Sequence, residues 1–241
     1  MTQRTPPAGP ERDRPRDARP SRPSLLDHLA HAALLRALAS AAEDGARPLC
    51  VDGTAGNGHD TLFLAEAAPA GALVLAFDVQ APALAATEAR LAAARERRIR
   101  EGLPPLARCR CLLRGHESLE AALRELPPED AALPLMAAVF NFGWLPGGDK
   151  RRVTRAETSL RAVEAALERL APRGCVCLHC YTGHPGGAAE EAALRERLEC
   201  LPARRWRVVY GSDANRREEG GPSRAESLLL AERLPVRRGS G

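Results

Sequence analysis

The chain has 241 residues, of which 27% are charged and 3% aromatic, with a formal net charge of +4. That length suits one substantial α/β domain with small additions, and the mild basic balance permits an RNA partner without requiring one. No apolar run approaches the ~20 residues of a membrane span and no signal-peptide core is visible, so a cytoplasmic protein without a membrane partner is expected.

The basic residues are almost all arginine. Lys150 is the only lysine, Ile99 the only isoleucine, and Asn57, Asn141 and Asn215 the only asparagines. Such a bias speaks of codon usage rather than of nucleic-acid binding, and it draws attention to Asn57, Asn141 and Lys150, which all fall in the two densest motifs. The seven cysteines include Cys109-x-Cys111 and Cys175-x-Cys177-x-x-Cys180 inside strand-like runs. Without a second C-x-x-C pair they read as buried thiols, and no metal ligands are expected.

In chain order, residues 1–23 are rich in Pro and Arg and lack apolar periodicity, as in a disordered tail. Ser24 is placed to cap a helix in which Leu25, Leu29, Leu34, Leu35 and Leu38 recur up to Gly45. A strand at 48–52 then ends in Asp52-Gly53-Thr54-Ala55-Gly56-Asn57-Gly58-His59-Asp60-Thr61, followed by a helix near 59–68. The order D-x-x-x-G-x-G lacks the third glycine of a dinucleotide fingerprint. It resembles the first motif of class I S-adenosylmethionine (SAM)-dependent methyltransferases, which nominates Asp52, Gly56, Asn57, Gly58, His59, Asp60 and Thr61 for the cofactor. An aspartate at the start of a helix also complements the helix dipole, so Asp60 has a purely structural alternative.

Strand 72–78 ends in Asp78, twenty residues beyond Gly58. A carboxylate at that distance reaches the ribose hydroxyls of a nucleoside in a doubly wound sheet, with Gln80 as a second contact. After a helix near 82–100 and a strand at 108–113 come Gly115 and His116, where this kind of fold meets an adenine ring, and then a helix near 117–126. Strand 134–140 leads into Asn141-Phe142-Gly143-Trp144-Leu145-Pro146-Gly147-Gly148-Asp149-Lys150. Its position matches the fourth motif of N-methyltransferases, N/D-P-P-Y/F, with Asn141 in the catalytic first place and Phe142-Gly143-Trp144 replacing the double proline. Phe142 and Trp144 suit an apolar pocket for an amine, and Lys150 joins them as a substrate contact. A helix near 154–171 and a strand at 174–180 lead to Tyr181 and His184, substrate-side candidates, although His184 and its glycines alternatively just shape a turn. A helix near 188–201 and strands near 205–211 and 226–233 complete the series. Five β-α units followed by an antiparallel hairpin predict a Rossmann-like α/β fold: a seven-stranded, mostly parallel sheet with helices on both faces.

The strings V-D-x-T-x-G-N-G-H-D-T-L-F-L-A, F-D-x-Q, G-H-E, F-N-x-G-x-L-P-G-G-D-K and Y-x-G-H-P-G-G, in this order and spacing, resemble the MnmM/YtqB-like family of bacterial methyltransferases, formerly labelled rRNA methylases. The resemblance covers about residues 25–234. It implies a SAM-dependent methyltransferase domain over 24–236, with a flexible C-terminus at 237–241. It also implies N-methylation of 5-aminomethyl-2-thiouridine at the tRNA wobble position, and tRNA as partner. A homodimer is allowed but required by nothing in the sequence. The residues themselves leave open a methyltransferase of another RNA or of a small-molecule amine, and a non-catalytic SAM- or RNA-binding protein. Two departures stand out. Gly53 replaces the family's usual alanine, a change the backbone should tolerate, and Asn215-Arg216-Arg217-Glu218-Glu219-Gly220-Gly221-Pro222 departs from an N-Q-x-N-x-P-P-like loop.

Overall fold

The computed structural model describes residues 24–143, 153–212 and 226–235. The expected tail before residue 24, the C-terminus at 237–241, Trp144, Lys150 and the divergent loop at 215–222 lie outside the described residues.

Helix α1 (Leu25–Glu43) begins with a capping box in which the Ser24 hydroxyl accepts from the Asp27 N–H and the Asp27 carboxylate accepts from the Ser24 N–H. The units that follow are β1 (Leu49–Asp52), α2 (His59–Ala67), β2 (Leu73–Asp78), α3 (Ala81–Arg100) and β3 (Arg108–Leu113). After a 3₁₀ turn at His116–Ser118 come α4 (Leu119–Arg124), α5 (Pro128–Ala131), β4 (Leu135–Phe142), α6 (Ala156–Arg169) and β5 (Leu170–Tyr181). Helix α7 (Gly187–Glu199), β6 (Trp206–Ser212) and β7 (Glu226–Arg233) complete the series.

The strands form one sheet in the order β3-β2-β1-β4-β5-β7-β6. Strands β1 to β5 are parallel, and β7 runs antiparallel to both β5 and β6, the antiparallel edge pair that the sequence pattern predicts. The chain winds outward from β1 to β3 and then restarts at β4, so the order reverses between β1 and β4. Their carboxyl ends therefore flank the crevice where ligands of open α/β sheets bind.

Alternation along the strands sends side chains into two cores. Leu49 and Val51 of β1, Phe140 and Phe142 of β4, and Val176 and Leu178 of β5 pack with α4, α6 and α7. Cys50, Val139, Cys175 and Cys177 pack on the other face beneath α1, α2 and α3. The β5 thiols are thus filling material, as their strand-like setting suggested.

Three local differences from the sequence pattern have physical causes. Helix α1 buries Leu26, Ala30, Leu34, Ala37, Leu38 and Ala41, whereas Leu25, Leu29 and Leu35 are exposed. Close packing on the sheet favours a stripe rich in alanine over one drawn through the largest side chains. The helix expected at 117–126 starts as the 3₁₀ turn and continues as α4 to Arg124, and a further short helix, α5, begins at Pro128, a residue suited to a first helical position. Strand β4 runs through Phe142, with Asn141 in register with His179, so Asn141 stands on a strand rather than in a loop.

The backbone at Gly53 is not left-handed, so the peptide accepts alanine as expected, but a Cβ there would overlap Cδ1 and Cε1 of Phe140. Gly53 and Phe140 are a matched pair of small and large neighbours. Gly53→Ala should destabilise the protein by about 1–3 kcal/mol through overpacking. Combined with Phe140→Leu, the loss in urea-midpoint stability should be smaller than the sum of the two single losses.

Candidate active site

The turn between β1 and α2 is held by carboxylates gripping its backbone. Asp52 is fully buried; its Oδ1 accepts from the Thr54 N–H (3.1 Å) and its Oδ2 from the Thr61 hydroxyl (2.6 Å). Both side chains turn inward, where Asp52 and Thr61 shape the turn. Gly56 (φ 52°) and Gly58 (φ 77°) supply the left-handed steps that bring the chain round. A Cβ on Gly58 would also press on the backbone of Thr87 in α3. Behind the turn, the Thr87 hydroxyl donates to the Gly56 carbonyl (3.1 Å). The Arg90 Nε donates to the Asn57 carbonyl (2.7 Å), and the Arg90 guanidinium lies 3.2 Å from the His59 ring. Burial and the Arg90 charge hold the His59 imidazole below its ordinary value, against the opposite pull of Asp60.

Asp78 ends β2 and reaches across to the same turn. Its Oδ2 accepts from the Gly56 N–H (2.9 Å) and its Oδ1 from the Gln80 N–H (2.8 Å). Each carboxylate oxygen has a second lone pair, so Asp78 remains able to accept from a ribose diol while bracing the turn. On the far side, Gly115 opens the 3₁₀ turn. His116 is buried, edge-on to Phe142 with centroids 5.6 Å apart, and its Nε2 lies 3.5 Å from the Ser159 hydroxyl. Burial pushes its imidazole below the ordinary value, against Glu117 and Asp78. Ser159 in turn donates to Glu190 (2.5 Å), which also accepts from the Thr154 hydroxyl (2.7 Å). This buried acid on α7 carries no motif and was invisible in the sequence.

Asn141, near the end of β4, stands beside the turn between β1 and α2. Its backbone N–H donates to the Thr54 hydroxyl (2.7 Å) and its Nδ2 to Asp60 Oδ2 (2.7 Å). Asp60 therefore does more than complement the α2 dipole: it joins the cofactor-side turn to the nominated catalytic residue. Its other oxygen lies 2.8 Å from Nε2 of His31 in α1, a residue the sequence had not singled out.

The substrate-side candidates separate. Phe142 is only 1% exposed and stacks on Phe140 with centroids 5.5 Å apart. It belongs to the core and does not line an open pocket, because alternation on β4 turns it to the face opposite Val139. His184 is also buried, with Nδ1 3.1 Å from the Pro185 carbonyl; it shapes the turn before α7, the alternative that the surrounding glycines suggested. Tyr181, at 36% exposure, remains at the surface of the crevice. Its ring stacks on His179 with centroids 4.6 Å apart, and its Cβ would be the first atom met by a side chain at Gly143. His179 is itself set between Asp27 (3.1 Å) and Glu226 (3.5 Å). Among the described residues, the carboxyl ends of β1, β2, β4 and β5 thus bring together Asp78, Asp60, Asn141 and Tyr181 around one crevice.

Burial, then repulsion from Asp60, push the Asp52 carboxyl up to about 7, against the bonds from Thr61 and Thr54. The folded state therefore keeps a proton that the unfolded chain loses near 3.8, and the stability carried by that proton falls as pH rises between those values. Asp52→Asn does not titrate; its oxygen can keep the bond from the Thr54 N–H, and its NH₂ can donate to the Thr61 hydroxyl, which then turns to accept. Relative to wild type, its urea midpoint should improve progressively between about pH 4.5 and pH 7.5. A constant difference over that range would show that Asp52 titrates like a surface carboxylate.

Comparison with known proteins gives consistent likenesses. A tRNA (mnm(5)s(2)U34)-methyltransferase, chloroplastic, of Arabidopsis thaliana is 32% identical over 161 residues, 65% of this chain and 54% of that protein. The chain thus spans about half the length of this curated relative. An rRNA methylase of Streptococcus thermophilus superimposes with a TM-score of 0.63 at 30% identity, covering 89% of this chain and 100% of that one. A "putative methyltransferase" of Streptococcus mutans in complex with SAH gives a TM-score of 0.64 at 25% identity, over 88% and 100% of the two chains. The model of the "Putative rRNA methylase" family matches residues 74–222. That match spans more than half of the chain, and the protein belongs to this family.

Proposed function

We propose that the protein is a SAM-dependent N-methyltransferase that converts 5-aminomethyl-2-thiouridine to 5-methylaminomethyl-2-thiouridine at the tRNA wobble position. The observation that carries this reading is the setting of Asn141. Its amide nitrogen is tied to Asp60, which leaves the amide oxygen as an acceptor beside a glycine turn braced by Asp78. The activity named for the Arabidopsis relative and the SAH held by the Streptococcus mutans neighbour support the same chemistry.

The crevice fits the cofactor by the chemistry of its donors and acceptors. Asp78 would accept from the ribose hydroxyls, the N–H groups at the start of α2 would meet polar groups, and His116 and Gly115 would flank the base. Gln80, Asn57 and His59 complete the cofactor side of this proposal. When bound, SAM supplies a methyl group on a sulfonium that is already a good leaving group. The protein's own contribution is alignment. Asn141 Oδ1 accepts an N–H of the target amine and so orients its lone pair. Tyr181 walls the substrate side, and Trp144 and Lys150 are proposed to join it there. An alkylamine is largely protonated in neutral water, and a partly desolvated crevice favours its neutral, nucleophilic form. After transfer the secondary ammonium releases one proton to solvent.

Two variants separate the halves of the site. Asp78→Ala should weaken SAM binding by roughly tenfold to a hundredfold in calorimetry, as expected for lost hydrogen bonds to a charged group. Asn141→Ala should leave SAM binding near wild type while sharply lowering methyl transfer to tRNA isolated from cells lacking the enzyme. Incorporation that survives RNase treatment of the product would point instead to a small-molecule amine.

A further inference from the structure

The helix preceding the sheet contributes a residue to the crevice. His31 projects from α1, stacks on Phe63 of α2 with centroids 3.8 Å apart and planes 9° from parallel, and places Nε2 2.8 Å from Asp60 Oδ1. Asp60 Oδ2 takes the Asn141 amide at 2.7 Å. We propose that His31 and Asp60 are positioning residues that fix the polarity of Asn141, so that the crevice presents a carbonyl acceptor and selects an N–H donor as its substrate.

The polarity follows from the chemistry of the three groups. An ionised carboxylate can only accept hydrogen bonds. A histidine nitrogen bonded to it must carry the proton, and an asparagine bonded to it must offer its NH₂. The order imidazole N–H, carboxylate, amide NH₂ therefore leaves Asn141 Oδ1 turned away from Asp60. Among the described residues, Oδ1 has no other partner. A rotated amide would present donors to an amine, which cannot serve as their acceptor when protonated and would misdirect its lone pair when neutral. The backbone bond from Asn141 to Thr54 (2.7 Å) fixes the strand end, so the freedom left for His31 and Asp60 to remove is the amide flip. His31 is in turn clamped by Phe63, and the chain of contacts runs from α1 through α2 to β4.

This inference rests on the reading of Asn141 as the amine acceptor, and two variants of the full chain test it. His31→Gln keeps an N–H at the Nε2 position, and His31→Phe keeps the stack on Phe63 but lacks the donor. With tRNA from cells lacking the enzyme, His31→Phe should lower kcat by about tenfold to a hundredfold, as misalignment of a reacting group does. SAM affinity by calorimetry should stay at the wild-type value, and His31→Gln should restore most of kcat. Equal losses in the two variants, or wild-type kcat in His31→Phe, would overturn the positioning role. A second readout does not depend on activity. The chain has three asparagines, so selective ¹⁵N-asparagine labelling gives three side-chain amide pairs. The Asn141 pair, assigned by its loss in Asn141→Ala, should be strongly inequivalent and slow to exchange with water in wild type and in His31→Gln. In His31→Phe it should collapse toward the free-amide position, and an unchanged pair there would overturn the inference. A wild-type enzyme that transfers no methyl to this tRNA would sink the proposed substrate while the amide spectrum still judged the relay.

Discussion

Everything at the carboxyl edge of the sheet depends on the turn from Asp52 to Thr61 being held by its backbone. Asp52 grips it from below through Thr54 and Thr61, and Asp78 grips it from the neighbouring strand through Gly56. Because these bonds go to main-chain N–H groups and to one buried hydroxyl, they fix a path that glycines alone would leave loose. The arrangement is electrostatically tense. Asp60 and, less strongly, Asp78 oppose the ionisation of the buried Asp52 carboxyl.

The reversal of strand order between β1 and β4 converts this braced turn into a site. It sets the turn beside the end of β4, where the Thr54 hydroxyl and the Asp60 carboxylate both bond Asn141. The cofactor side and the substrate side are therefore one hydrogen-bonded unit. Helix α1 takes part as well: it docks by Asp27 on His179 and by His31 on Asp60, so its packing bears on the crevice as well as on the core.

The fold was legible because its signals are periodic and local. Apolar strands alternate with helices, and the sequence between the last two apolar runs carries no helical periodicity. The turn was legible because glycines beside an aspartate have few other uses. Side-chain direction was much less so. Phe142 suits an apolar pocket by residue type, but strand alternation buries it, and of the two readings open for His184 its burial favours the turn. Asp52 and Thr61 lie within the motif yet serve its shape. His31 and Glu190 had no motif at all, since each acquires its partner across tens of residues of chain. In α1 the buried stripe runs through alanines as much as leucines, which a reading by residue size passes over.

The most direct measurement is nucleoside mass spectrometry of tRNA from cells in which the gene for this chain has been deleted. Accumulation of 5-aminomethyl-2-thiouridine at the expense of its N-methylated form, reversed by the wild-type chain but not by Asn141→Ala, is the expected result. An unchanged nucleoside profile in the deletion cells would contradict the proposed reaction.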